Sequence, residues 1–153
     1  PGVTSGEGAV KTMVVEIVGT DLVDTYAATN TAPQAATIRR GSVIRRATLS
    51  VTTAFTSSGS ATLDIGLWSK GLATEVVDDA DGIDAAIAIT AIDAIGDIIN
   101  CDGALVAALV PVGRTADGDC VIAPSYNTAA FTAGRASLTI EYIEPAYSSS
   151  VAA

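Results

Sequence analysis

Histidine is absent from this sequence. That removes the commonest general base, the Ser-His-Asp arrangement and the usual zinc ligand. Aromatic residues are scarce at 5 %, which leaves little material for a sugar-stacking groove. Charged residues are only 16 %, against roughly 25 % in an average soluble domain. Positive charge is scarcer still: 8 Lys and Arg against 17 Asp and Glu leave a net charge of −9. A chain this acidic repels nucleic acid, which demands a basic footprint. The two cysteines, Cys101 and Cys120, are too few for a four-cysteine zinc site or a disulfide framework, and one disulfide between them stays open. Each stands beside an aspartate, Asp102 and Asp119, whereas a reactive thiolate needs a base or a cationic neighbour. No phosphate-binding glycine pattern occurs. No apolar run approaches the roughly 18 residues of a membrane span. The most apolar stretch, Ile83 to Ile99, is broken by Asp84, Asp93, Gly96 and Asp97. The opening PGVTSGEGAV has neither the basic start nor the apolar core of a signal peptide, and Pro1 fits removal of an initiator Met. The expectation is a non-enzymatic chain without cofactor or metal, bound to neither membrane nor nucleic acid.

What is present is aliphatic. Hydrophobic residues make up 49 % of the 153, mostly Ala, Val, Ile and Leu, and the mean hydropathy is +0.45. A chain of this length builds a core without a staple. Such composition is housed by burying strands on both faces or by burying surface against partners.

Period-two alternation runs through the chain and marks strands. Residues 1–10 read as a flexible arm. Met13, Val15 and Ile17 then share one face. Residues 28–37 read as a loop. Ala47, Leu49, Val51 and Phe55 line one face of the next run, and Ala61, Leu63, Ile65 and Leu67 line another. The SSGS between them predicts a β-hairpin. DDADG at 78–82 reads as a turn, followed by Ile83, Ala85, Ile87 and Ile89 at period two. The same residues also fit a helix; a strand passing into a short helical turn at about 90–95 is preferred. NCDG at 100–103 reads as a turn. Leu105 to Val110 is apolar on both faces, which predicts a buried strand ending at Pro111. ADGD at 116–119 predicts a turn, and Cys120 to Tyr126 a strand that Pro124 assigns to an edge or an end. The last strand turns Ala136, Leu138, Ile140 and Tyr142 inward and stops before Pro145. The fold class is therefore all-β, a sandwich or barrel of about eight strands. Its expected limits are 11–145, with a flexible tail at 146–153.

Two charged clusters stand out. Asp78, Asp79 and Asp81 carry the oxygen ligands a hard cation wants. If Gly82 took the glycine position of a calcium loop, Val77 and Ala88 would fall where acids belong, so a solvated acidic turn is the better reading. Arg39, Arg40, Arg45 and Arg46 recur as IRR at 38–40 and 44–46. Arginine suits planar contacts with carboxylates. The cluster is either tied to the chain's own acids or a docking surface for an acidic partner. Arg45 falls on a face that becomes apolar, so it is expected at a strand end or bulge.

The stretch RRGSVIRRATLSVTTAFTSSGSATLDIGLW, with AGRASLTIEYIE much later, resembles small virion proteins of tailed bacteriophages. Gly41 to Ile44, Thr53 to Gly66 and Thr132 to Tyr142 carry the likeness. It implies a jelly-roll-like β-sandwich and a capsid cement or decoration protein, commonly trimeric. It further implies the major capsid protein or other virion proteins as partners. The chain would be made in the host cytoplasm and end on the capsid surface. A head-fibre, neck or tail module with a receptor- or glycan-binding role is the alternative. The resemblance brings no catalytic residues.

Overall fold

The computed structural model describes residues 9–24, 36–69, 76–113 and 119–145. Residues 1–8 of the expected N-terminal arm, the tail at 146–153, the ADGD turn up to residue 118 and the loop up to residue 35 lie outside these residues; Val10, expected in the arm, starts β1. Within them run nine strands: β1 (Val10–Val18), β2 (Val23–Asp24), β3 (Thr37–Ile38), β4 (Val43–Ser57), β5 (Thr62–Ser69), β6 (Val76–Ala88), β7 (Ile98–Asn100), β8 (Cys120–Asn127) and β9 (Phe131–Ile143). The described helical structure is one α-turn, α1 (Ala104–Ala107), and two short 3-10 turns, Gly19–Asp21 and Ile89–Ala91.

The strands form two sheets, ordered β1-β9-β4-β7 and β2-β8-β5-β6, with β3 also pairing β8. The antiparallel pairs are nested: β1 with β9, β3 with β8, β4 with β7, and β5 with β6. A long hairpin folded over on itself makes such nesting, and the pairs β4–β9 and β5–β8 then close each sheet. This is a jelly-roll-like sandwich, one of the two all-β forms the alternation allows and the one the resemblance implies.

Alternation placed most inward faces correctly; in β6 it fails at Ala85, which is exposed next to Ala86 at φ 51 while Asp84 is buried. Val15, Ile17, Ala47, Leu49, Val51, Phe55, Ala136, Leu138 and Ile140 of one sheet meet Leu63, Ile65, Leu67, Ile83, Ile87 and Ile122 of the other in one core. Each fully buried Leu, Ile or Phe contributes about 1.5–3 kcal/mol. Phe55 stacks edge-on against Phe131, ring centres 5.2 Å apart. Its ring lies where Gly134 would carry a Cβ, 2.4 Å away, and Gly134 sits at φ +135. Only glycine satisfies both the space and the backbone angle there.

Several expectations need correction. The runs at 47–55 and 61–67 are not a hairpin, because β4 and β5 belong to different sheets. SSGS carries the chain across the sandwich beside the β8–β9 connection. Ser57 Oγ donates to the Ala130 carbonyl (2.8 Å), and the Thr56 and Thr132 hydroxyls are 2.7 Å apart. DDADG does not reverse the chain. It lies inside β6 as a wide bulge: from Ile65 to Leu67, two steps along β5 are matched by five along β6, from Asp84 to Asp79. The bulged backbone crosses Gly66, where a Cβ would fall 2.1 Å from the Asp79 carbonyl oxygen. Leu105 to Val110 is not a strand. Its first residues form α1, burying Leu105 and Val106 and leaving Leu109 exposed. Finally, Thr37 of the expected loop starts β3.

The helical turn expected at about 90–95 appears earlier, as Ile89–Ala91. Pro124 does not mark an edge or an end: it lies in the middle of β8, an interior strand, and pairs Ile65 of β5 on one side. On the other side Ile122 donates its N–H to Ala36 (2.9 Å) next to β3, while β2 begins pairing only at Ser125. Backbone N–H direction alternates along a strand, so the missing donor of Pro124 faces the gap between β3 and β2.

Candidate docking surface

The four arginines separate into two pairs. Arg39 approaches Glu144 at 3.6 Å, and Lys11 donates to the same carboxylate at 2.8 Å. Glu144 thus ties the start of β1, the β3–β4 connection and the end of β9. The hydrogen bond from Lys11, with the charges of Lys11 and Arg39, holds the Glu144 carboxyl below the usual carboxylate range. Arg40 donates its backbone N–H to Asp119 (3.2 Å). Its side chain lies over Gly113, where a Cβ would meet Arg40 Cγ at 2.8 Å. This pair is held by its own protein.

Arg45 and Arg46 lie within β4. Ile44 pairs Tyr142 and Arg46 pairs Glu141, so Arg45 is the extra residue of a β-bulge, as its place in the alternation required. A bulge re-aims a side chain without breaking the sheet. Both arginines are exposed, and neither has a salt-bridge partner within 4 Å among the described residues.

They stand at one end of the outer face of the four-stranded sheet. Across that face the register aligns Thr139 with Val14 and Thr48, and Ser137 with Glu16 and Ser50. Asn100 and Ile98 continue these rows on β7. The face is built of short hydroxyl side chains, with Val14 65 % exposed and Ile98 63 % exposed at its two sides. Ile95, 74 % exposed, lies in the adjoining loop, whose Gly96 donates to the Val51 carbonyl at 2.9 Å. The arginine cluster was legible in the sequence. Glu144, Val14, Ile95 and Ile98 were not singled out, though Val14 could have been, as an apolar residue on the polar side of an alternating run.

The acidic residues assemble no comparable site. Asp79 is half-buried and Asp81 exposed within β6. No group of three or more metal-ligating side chains occurs among the described residues. Asp84 and Asp64 are buried, each accepting a backbone N–H, from Ala85 (2.8 Å) and Ala86 (2.7 Å). Burial, reinforced by the charges of Asp102 and Asp64, raises the Asp84 pKa. Cys101 shares a hydrogen bond with Asp84, and burial followed by the Asp84 charge pushes its thiol up to about 12. A thiol that stays protonated at neutral pH is no nucleophile. Cys101 and Cys120 are buried thiols not joined to each other. No described helix is long and apolar enough to cross a membrane.

Compared with known proteins, the sequence matches no family model and no curated protein. Among solved structures, the fold is similar to a chain in the capsid of Ralstonia phage GP4. That match has TM-score 0.55 and 16 % identity, over 95 % of this chain and 91 % of that one. It is similar to the same degree, TM-score 0.55 at 20 % identity, to a chain of the cyanophage Pam1 capsid asymmetric unit, again over 95 % and 91 % of the two chains. At these identities the likeness is one of fold.

Proposed function

We propose that this chain is a structural protein of a phage virion, a cement protein that binds the assembled head shell and works as a trimer. The observation that carries the reading is the jelly-roll-like sandwich, shared over 95 % of the chain with chains from two phage capsids. The mechanism is mass action: a ligand that binds only the assembled shell stabilises it. The outer face of the four-stranded sheet, ending in Arg45 and Arg46, supplies the contact, and an acidic patch on the shell is its complement. Its hydroxyl rows are uncharged apart from Glu16, which Arg135 pairs, so little must be desolvated at high cost.

Binding to undecorated particles tests this. Arg45→Ala with Arg46→Ala should weaken binding and steepen its loss with salt no further, because the charges that salt screens are gone. Melting of the isolated protein should stay within about 0.5 kcal/mol of wild type. Arg39→Ala with Arg40→Ala should do the reverse, lowering stability while leaving binding per folded molecule intact. Electron microscopy of decorated particles should show regular density over the shell lattice. Density at a fibre tip instead would reject the cement role.

A further inference from the structure

We propose that the free edge of β1 pairs antiparallel with the β1 of a second copy, about a two-fold axis through Val14.

The two sheets present edges of different character. β7 has three residues, and β2 and β3 two each. β6 is long, but its register with β5 breaks three times. Shortness and bulges are the devices that keep sheet edges from pairing with other chains. β1 has neither device. It runs nine residues, and all nine pair with β9 in one unbroken register from Val10–Ile143 to Val18–Arg135. It contains no proline, and no described strand pairs with its other edge. A charge pointing from the edge is the remaining protection, and both charges of β1 are already occupied. Lys11 bonds Glu144 at the start of the strand, and Glu16 bonds Arg135 near its end. Between them Thr12, Met13, Val14 and Val15 carry no charge. A long, regular, uncharged edge is a template for strand addition.

The sequence of β1 selects a second copy as the occupant. Two antiparallel strands around a two-fold axis perpendicular to the sheet place each residue opposite its mirror position about the centre. Val14 is the middle residue of Val10–Val18. Pairing about it sets Val14 against Val14, Met13 against Val15, Val10 against Val18 and Thr12 against Glu16. Apolar residues meet apolar ones except Ile17, which faces Lys11, and no like charges face each other. Val14, 65 % exposed, gains a cross-strand apolar neighbour. The pairing is independent of shell binding and compatible with a trimer, whose three edges would pair with those of one second trimer across two-fold axes.

The test is a charge exchange at Val14, an exposed side chain whose replacement leaves the core untouched. Self-association of wild type, Val14→Glu and Val14→Lys is measured by light scattering after size exclusion, with melting curves confirming that all three fold. Wild type should double the mass of its basic unit as concentration rises. Each single variant should associate roughly fivefold more weakly, the upper range of one cross-strand pair. An equimolar mixture of the two variants should recover association, because glutamate then faces lysine. Equal association of wild type and both single variants overturns the proposal, as does a mixture that behaves like the separate variants. Wild type that shows no doubling at its highest soluble concentration also overturns it. None of these readouts uses the shell, so a failure of docking leaves them unaffected.

Discussion

The two sheets of this sandwich solve the same burial problem differently. The four-stranded sheet is built on long strands, and β1, β9 and β4 pair over most of their lengths. Every Lys and Arg among the described residues lies on it or, for Arg39 and Arg40, at the approach to β4. In the other sheet β5, β6 and β8 carry Asp64, Asp79, Asp81 and Asp84 and no described cation. Register shifts occur in both sheets, four between β4 and β9 and three between β5 and β6, but the outer side of the second sheet is closed by Trp68, Val121 and Ala123. The first sheet keeps a flat, polar outer face; the second buries groups on both faces. A sheet with one solvated face can offer that face to a partner without exposing the core. The second sheet instead spends its irregularities on packing, as Gly66 beneath the β6 bulge illustrates.

The comparison is broken most severely at its glycines. Gly134→Ala drives a Cβ into the Phe55 ring and strains a positive φ in the four-stranded sheet. Gly66→Ala meets the backbone of Asp79 and Ala80 in the other. Overpacking of this kind destabilises by about 1–3 kcal/mol, and the strained φ places Gly134→Ala at or above the upper end. Denaturant unfolding measures both. Hydrogen exchange tells them apart: Gly66→Ala should expose β6 amides while β1–β9 pairing stays protected, and Gly134→Ala should loosen β4 and β9 first. Equal effects on both sheets would mean that they are less independent than their registers suggest.

A smaller effect sharpens the electrostatic side. The Asp84 pKa is raised by burial, so its neutral form favours the fold. That contribution is complete below the unfolded carboxylate pKa and is lost as pH rises through the raised folded value. Asp84→Asn removes the charge at nearly constant shape. Its stability relative to wild type should therefore be most favourable at neutral pH and decline toward acid. Thermal melting across that range checks it, and a difference independent of pH would refute the buried-charge account.

The smallest effect lies on the other sheet and has the opposite sign. Glu144 is held below its usual range by Lys11 and Arg39. Its contribution is present above the unfolded pKa and is lost as pH falls through the lowered folded value. Lys11 and Arg39 are partly exposed, so Glu144→Gln should cost at most about 1 kcal/mol at neutral pH. The loss should shrink in acid and in high salt. A larger loss would mean that the triad organises the strand ends beyond its charge.

Alternation determined where most of the longer strands run and which of their faces turn inward, because burial on one face of a strand imposes period two regardless of the neighbour. It reached Leu49, Leu63 and Leu138, each fully buried. It also reached the bulge at Arg45, where a charge on an apolar face had to be re-aimed. Pairing was beyond it. A Ser/Gly loop reads alike whether it turns a hairpin or crosses the sandwich, and only the packing of β9 against β4 decided that β5 leaves the sheet. A short apolar run such as Leu105 to Val110 has no period to read, so helix and strand look alike in it; in the fold Leu105 packs over Gly82 from α1. The four arginines formed one cluster along the chain and two pairs in space. Arg39 and Arg40 meet Glu144 and Asp119, residues distant in the chain that only the folded sheets bring beside them.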